Sequence, residues 1–163
     1  MSLILAIASH DDTVRLGIEL GRRLVPGDLV LLHGDLGSGK TTLAQGMLAG
    51  LGVTGPVPSP TFTLINEYDV NAASGGDRWR LYHLDLYRLR DDELDGIGFD
   101  DYLAPADGIS LIEWPERAGS RLDTDYLLIE ITATGNQQRN IRVSRAPTGT
   151  ARFGWLDQFC YGQ

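Results

Sequence analysis

At 163 residues and 42% apolar composition, the chain can bury one core and is expected to form a single domain over residues 1–163. Fourteen basic against twenty-two acidic side chains leave a net charge of −8, a surface that repels phosphate backbones and argues against independent RNA or DNA binding. Such a surface serves solubility or a basic protein partner.

Residues 3–8 read as a short apolar strand; the run LILAIA is too short for a membrane span and lacks the basic flank of a signal peptide. Ser9 followed by Asp12 predicts a capped helix over about 11–24, with Val14, Ile18, Leu20 and Leu24 on its apolar side. Pro26-Gly27-Asp28 is a turn, and LVLLH (29–33) is a continuous apolar run of the kind found in buried parallel strands. A glycine-rich loop follows at once, and residues 41–51 read as a helix.

Residues 52–60 are loop. Two strands are expected at 61–69 and 78–86, joined by NAASGGD, which makes 70–77 the expected flexible site. RLRDDELDGIG (88–98) reads as a polar helix stopped by Gly96 or Gly98. GISLIEW (108–114) is another apolar strand, and 126–134 with 138–145 form a hairpin around Gly135-Asn136. A final amphipathic piece with Phe153, Trp155, Leu156 and Phe159 is expected to pack back onto the domain. The expected fold class is α/β, a mixed sheet with a parallel core and antiparallel strands, flanked by helices.

Thirteen of the fourteen basic residues are arginine; the one lysine, Lys40, stands in HGDLGSGKTT (33–42). That is the Gly-x-x-x-x-Gly-Lys-Thr phosphate loop, and the strand–loop–helix order around it supplies the context the motif requires, so the expected α/β mixed sheet is of the P-loop NTPase type. Gly34, Gly37 and Gly39 let the backbone approach phosphates, and Asp35 and Ser38 complete the loop. Lys40 is placed to reach the β- and γ-phosphates as a compact charge, which arginine's planar fork would do poorly. The Thr41 hydroxyl can ligate magnesium, and Thr42 can touch the α-phosphate. The ligand expected here is ATP or ADP with Mg2+.

Such a site also needs an acidic group at the end of a neighbouring strand. Asp85, after RWRLYHL, and Glu113, after ISLI, are the candidates. Thr61, just after Ser59-Pro60, is a candidate sensor of the γ-phosphate, and Trp114 beside Glu113 would report nucleotide by its fluorescence if it lies at the site. His10, His33 and His83 lie far apart without zinc-ligand spacing and are expected to be packed or surface histidines. Cys160 is alone, which fits a reducing cytoplasm.

A GTPase would carry Asn-Lys-x-Asp, which this chain with its single lysine lacks. Asp95-Gly96-Ile97-Gly98 has the spacing of a GTPase switch but follows a polar helix rather than a strand. A small-molecule kinase stays as the alternative enzyme, because Arg88, Arg90, Asp91 and Asp92 could imitate a lid and acceptor set. A nucleotide-sensing scaffold that needs no hydrolysis is the non-enzymatic alternative.

HGDLGSGKTTLAQG, SPTFTLINEY, HLDLYRL, GIGFDDYL and EWPER occur in this order and spacing. Together they resemble the bacterial TsaE (YjeE) family, from TVRLG (13–17) through about Ala118. The resemblance implies the ATPase component of tRNA threonylcarbamoyladenosine synthesis, weak alone and acting with the TsaD–TsaB heterodimer to gate or reset its cycle. It implies contact with tRNA only through that complex, while the acidic charge and the short apolar run argue against direct DNA binding and a membrane span. Carried over by motif, Lys40 and Thr41 bind phosphate and metal and Thr61 lies in a switch-like segment. Asp85 and Glu113 are the acidic pair; Glu113 is the preferred direct magnesium partner, but which of the two binds metal stays open. The TVRLG match places Thr13 near the adenine.

Overall fold

The computed structural model describes residues 2–71, 78–146 and 151–161. Its centre is the apolar run β2 (Leu29–His33), buried on both faces and paired in parallel with β5 (Gly108–Glu113) and β6 (Leu127–Ala133). β4 (Arg78–Asp85) joins β5 in parallel, and β3 (Ile65–Asn71) closes that edge antiparallel to β4. On the other side β7 (Arg139–Arg145) pairs antiparallel with β6, and β1 (Ser2–Ile7) with β7. The result is one seven-stranded sheet of order β1-β7-β6-β2-β5-β4-β3, with the expected parallel core and antiparallel margins.

Helices α1 (His10–Gly21) and α2 (Lys40–Gly50) cover one face. Leu16, Leu20, Leu43 and Met47 pack there on Val30, Leu32, Leu111 and Ile129. Phe153, Leu156 and Phe159 return to the same core, as their spacing predicts. The opposite face buries Leu29, Leu31, Leu84 and Ile112 under Leu94 and Phe99.

Several boundaries differ from the sequence reading. Ser9 caps α1 as expected, its Oγ accepting from the Asp12 N–H at 3.1 Å. The helix ends at Gly21, however, and the chain to Leu24 tightens into i→i−3 bonds from Arg23 to Leu20 and from Leu24 to Gly21. Leu16, absent from the expected apolar side, is fully buried, whereas Val14 and Ile18 are only partly covered. The polar helix at 88–98 is instead a run of 3₁₀ turns, Asp91–Glu93, Asp95–Ile97 and Phe99–Tyr102. Gly98, at φ +65°, breaks the helical path, and the turns carry Leu94 and Phe99 down onto the sheet. The strand expected from Thr61 starts only at Ile65: the Leu64 N–H closes a turn onto the Pro60 carbonyl, with Leu64 itself at φ +65°. Of the expected flexible segment 70–77, residues 72–77 lie outside the described residues.

Candidate functional site

Strand β2 delivers the chain into the glycine-rich loop, and α2 leaves it with Gly39 at its N-cap. No side chain caps that helix end, so its N-terminal N–H groups and positive dipole end are available to an anion. A Cβ on Gly34 would lie 2.5 Å from the Ile131 carbonyl oxygen and 2.7 Å from Ser38 Oγ, and Gly39 sits at φ +109°. The loop is therefore a backbone cradle that side chains would fill or strain. Ser38 Oγ is buried behind it without a hydrogen-bond partner among the described residues.

Lys40 is buried and bridges the loop, its Nζ donating to the carbonyls of Gly34 at 2.5 Å and Asp35 at 2.9 Å. The Asp35 side chain is itself exposed. The same Nζ lies 4.1 Å from the centre of the Trp114 ring, which packs on Tyr87 at 4.7 Å. Burial pulls the Lys40 ammonium below the ordinary lysine range, opposed by the carboxylates of Glu113, Asp85, Glu116 and Asp35.

The parallel register of β4 and β5 pairs Asp85 with Glu113 at the carboxyl ends of the two strands. Both side chains are buried. Thr41 Oγ1 donates to Glu113, 3.0 Å from Oε1 and 3.2 Å from Oε2. Thr61 Oγ1 donates to Asp85 Oδ2 at 3.0 Å, and the Tyr87 N–H donates to Asp85 Oδ1 at 2.9 Å. Each carboxylate thus faces one hydroxyl, and Ser59 Oγ stands 2.7 Å from that of Thr61. Trp114, at φ +60°, is a non-glycine residue in the left-handed region beside this pair, a strain the surrounding packing must hold.

These groups converge on a cleft of about 260 Å³ lined by Gly37, Gly39, Lys40, Thr41 and Thr42 on the loop side. Thr61, Asp85, Glu113 and Trp114 line it from the sheet side. Gly34, Asp35 and Ser38 form the loop behind this surface rather than its lining. Thr13 is buried on α1, donates to the Ser9 carbonyl at 3.2 Å, and lines an adjoining hollow of about 270 Å³ with His10, Asn136 and Gln137. Gly39, Thr42 and Arg139 border both spaces.

Two residues escaped the sequence reading. Arg139, at the start of β7, donates from Nε to the Ser38 carbonyl at 2.6 Å and from Nη1 to that of Gly135 at 3.0 Å, strapping the phosphate loop to the β6–β7 hairpin. No local pattern marks an arginine a hundred residues away. His83 is fully buried with Nε2 2.8 Å from Glu113 Oε1; its place in H-x-D was visible, its partner was not. The arginines and aspartates considered as a kinase set stand outside the residues that line the cleft. Arg88 stacks on Phe62, Arg90 pairs with Asp92 and Glu93, and Asp91 pairs with Arg121. Asp95, of the switch-like spacing, also pairs with Arg121.

No helix among the described residues is long and apolar enough to cross a membrane. Among those residues, too, no three His, Cys, Asp or Glu side chains gather as a metal centre.

Residues 7–141 match the family model described as "Threonylcarbamoyl adenosine biosynthesis protein TsaE". The tRNA threonylcarbamoyladenosine biosynthesis protein TsaE of Nostoc is 42% identical over 141 residues, covering 85% of this chain and 83% of that protein. The protein of the same name from Bacillus subtilis is 41% identical, covering 71% and 68%, and that of Mycobacterium bovis 34%, covering 89% and 82%. The crystal structure of YdiB from Bacillus subtilis superposes with a TM-score of 0.73 at 31% identity, over 97% of this chain and 93% of that one. The chain belongs to the TsaE family.

Proposed function

We propose that this protein is a magnesium-dependent ATP-binding and ATP-hydrolysing component of tRNA threonylcarbamoyladenosine formation, working with TsaD–TsaB to gate or reset their cycle. The observation that carries this reading is the meeting of Thr41 with Glu113 at 3.0 Å beneath a glycine cradle that holds the chain's one lysine. The donors fit the ligand. An open helix N-terminus, the orphaned Ser38 hydroxyl and Lys40 suit phosphate oxygens, and one hydroxyl with two carboxylates suits magnesium, which keeps several waters.

In this reading Lys40, which donates to the carbonyls of Gly34 and Asp35, would hold the terminal phosphates. The Thr41 hydroxyl oxygen and Glu113 would hold magnesium directly, with Asp85 orienting water. Thr61, held by Asp85, stands where a γ-phosphate would be sensed. Magnesium supplies charge neutralisation to the phosphates. Thr13 and the hairpin residues Asn136 and Gln137 border the space left for the base. The net charge of −8 leaves tRNA contact to the partners, in the cytoplasm where that chemistry takes place.

Asp85→Asn and Glu113→Gln separate hydrolysis from binding. If turnover of the TsaD–TsaB complex stops in variants that still bind ATP, hydrolysis is required; undiminished turnover without hydrolysis would make the protein a nucleotide-sensing scaffold.

A further inference from the structure

Side chains alternate along a strand, so Leu81, His83 and Asp85 of β4 share a face with one another, as do Ile109, Leu111 and Glu113 of the neighbouring β5. Leu81, Ile109 and Leu111 belong to the core beneath α1 and α2, where the buried hydrophobic strand residues are aliphatic. His83 sits among them at 0% exposure. An imidazole in such a place costs free energy unless its polar atoms are paired. Its Nε2 lies 2.8 Å from Glu113 Oε1, while its Nδ1 is buried with no hydrogen-bond partner among the described residues.

The two nitrogens fix the tautomer. A proton on Nδ1 would be a buried donor with nothing to accept it, and Nε2 would then turn a lone pair toward a carboxylate. With the proton on Nε2, His83 donates to Glu113, and only a buried acceptor goes unpaired. Glu113 Oε1 consequently receives two donors, the His83 imidazole at 2.8 Å and the Thr41 hydroxyl at 3.0 Å.

We propose that His83 is a positioning residue that holds the Glu113 carboxylate in place when Thr41 withdraws its hydroxyl to magnesium. This rests on the reading above that Glu113 and Thr41 form the magnesium site. His83 itself touches neither metal nor nucleotide. Its Nε2–H is the contact that survives the switch, because it reaches Glu113 from β4, within the sheet, rather than from the first turn of α2.

Nitrogen-detected NMR of the full-length, nucleotide-free protein tests the tautomer first. The His83 side chain should show a protonated Nε2 and an unprotonated Nδ1, with the Nε2–H resonance shifted in Glu113→Gln; an Nδ1-protonated ring overturns the proposal. ADP binding is then measured by calorimetry in EDTA and across a magnesium titration. His83→Leu should keep the EDTA affinity within about twofold while weakening the apparent magnesium affinity about tenfold, the usual scale for losing a group that orients a metal ligand. His83→Gln, whose amide can donate from nearly the same position, should recover most of that loss. Equal weakening with and without magnesium in both variants would make His83 a packing residue and overturn the proposal. A normal magnesium response in His83→Leu beside a defective one in Glu113→Gln overturns the role of His83 alone. A normal response in Glu113→Gln removes Glu113 from the metal site, and the positioning role with it.

Discussion

The hydroxyl of Thr41, second residue of α2, donates to the Glu113 carboxylate at the end of β5, 3.0 Å away across 72 positions of sequence. This contact closes the gap between helix and sheet and occupies both groups proposed to meet magnesium. Thr41→Ser keeps the oxygen and should retain magnesium-dependent ADP binding. Thr41→Val keeps the shape without the oxygen and should lose roughly 10- to 100-fold, the scale of one bond to a charged group. Calorimetric titration of ADP with and without magnesium checks this; equal affinities for the two variants would contradict the role of the hydroxyl.

Trp114 carries the Lys40 ammonium on its face and packs on Tyr87. Drawing Lys40 to phosphates removes a cation from the ring, so emission should change on adding ATP. With Trp79 and Trp155 replaced by Phe, Trp114 remains the sole reporter. The change should saturate with nucleotide and be absent in Lys40→Ala. A saturating response that persists in that variant would separate Trp114 from the lysine.

Helices α1 and α2 meet along glycines. A Cβ on Gly17 would lie 2.5 Å from the Leu43 carbonyl oxygen and 2.9 Å from Gly46 Cα, both backbone atoms that side-chain rotation cannot relieve. Gly17→Ala should therefore destabilise the protein by about 1–3 kcal/mol, outweighing the gain of about 1 kcal/mol in helix propensity. Urea unfolding should show a lower midpoint with an unchanged slope. A raised midpoint would mean the two helices can part without cost.

What was legible in the sequence was what lies close in the chain. The loop from Gly34 to Thr42 carries its own conformational requirements, and an apolar run ending in Asp85 or Glu113 announces a buried strand with an acidic end. What was not legible depends on which strands become neighbours. The β4–β5 register sets Asp85 beside Glu113 and brings His83 to the same carboxylate, and the β6–β7 hairpin brings Arg139 to the loop. Local composition misled at residues 88–98, where Glu, Arg and Leu favour a helix but the chain turns in 3₁₀ steps and packs Leu94 and Phe99 on the sheet. It misled again at 61–64, where Thr and Phe favour a strand while the turn onto Pro60 brings Thr61 to Asp85. In both places tertiary contacts outweighed propensity.

Asp28 predicts a component of the pH dependence of stability. Its carboxylate is buried, accepting from the Val25 N–H at 2.8 Å and from Arg152 at 3.0 Å. Burial raises its pKa above the ordinary carboxylate value, only partly offset by those two partners. A raised folded-state pKa favours the native state in full below the unfolded value of about 3.9 and is lost as pH rises through the folded value. The stability of the wild type relative to Asp28→Asn should therefore fall as pH rises through that window, measured by urea unfolding at a series of pH values. A difference that grows with pH would reverse the assignment.

The most direct measurement is ATP hydrolysis by the purified protein, alone and with TsaD–TsaB, beside Lys40→Ala. A partner-gated ATPase requires slow hydrolysis alone, strong stimulation by the partners, and loss of both in a variant that remains folded. Losing a buried lysine contact to phosphate should also lower ATP affinity by roughly 10- to 100-fold. Vigorous hydrolysis without partners, no hydrolysis under either condition, or undiminished ATP binding by Lys40→Ala would contradict that function.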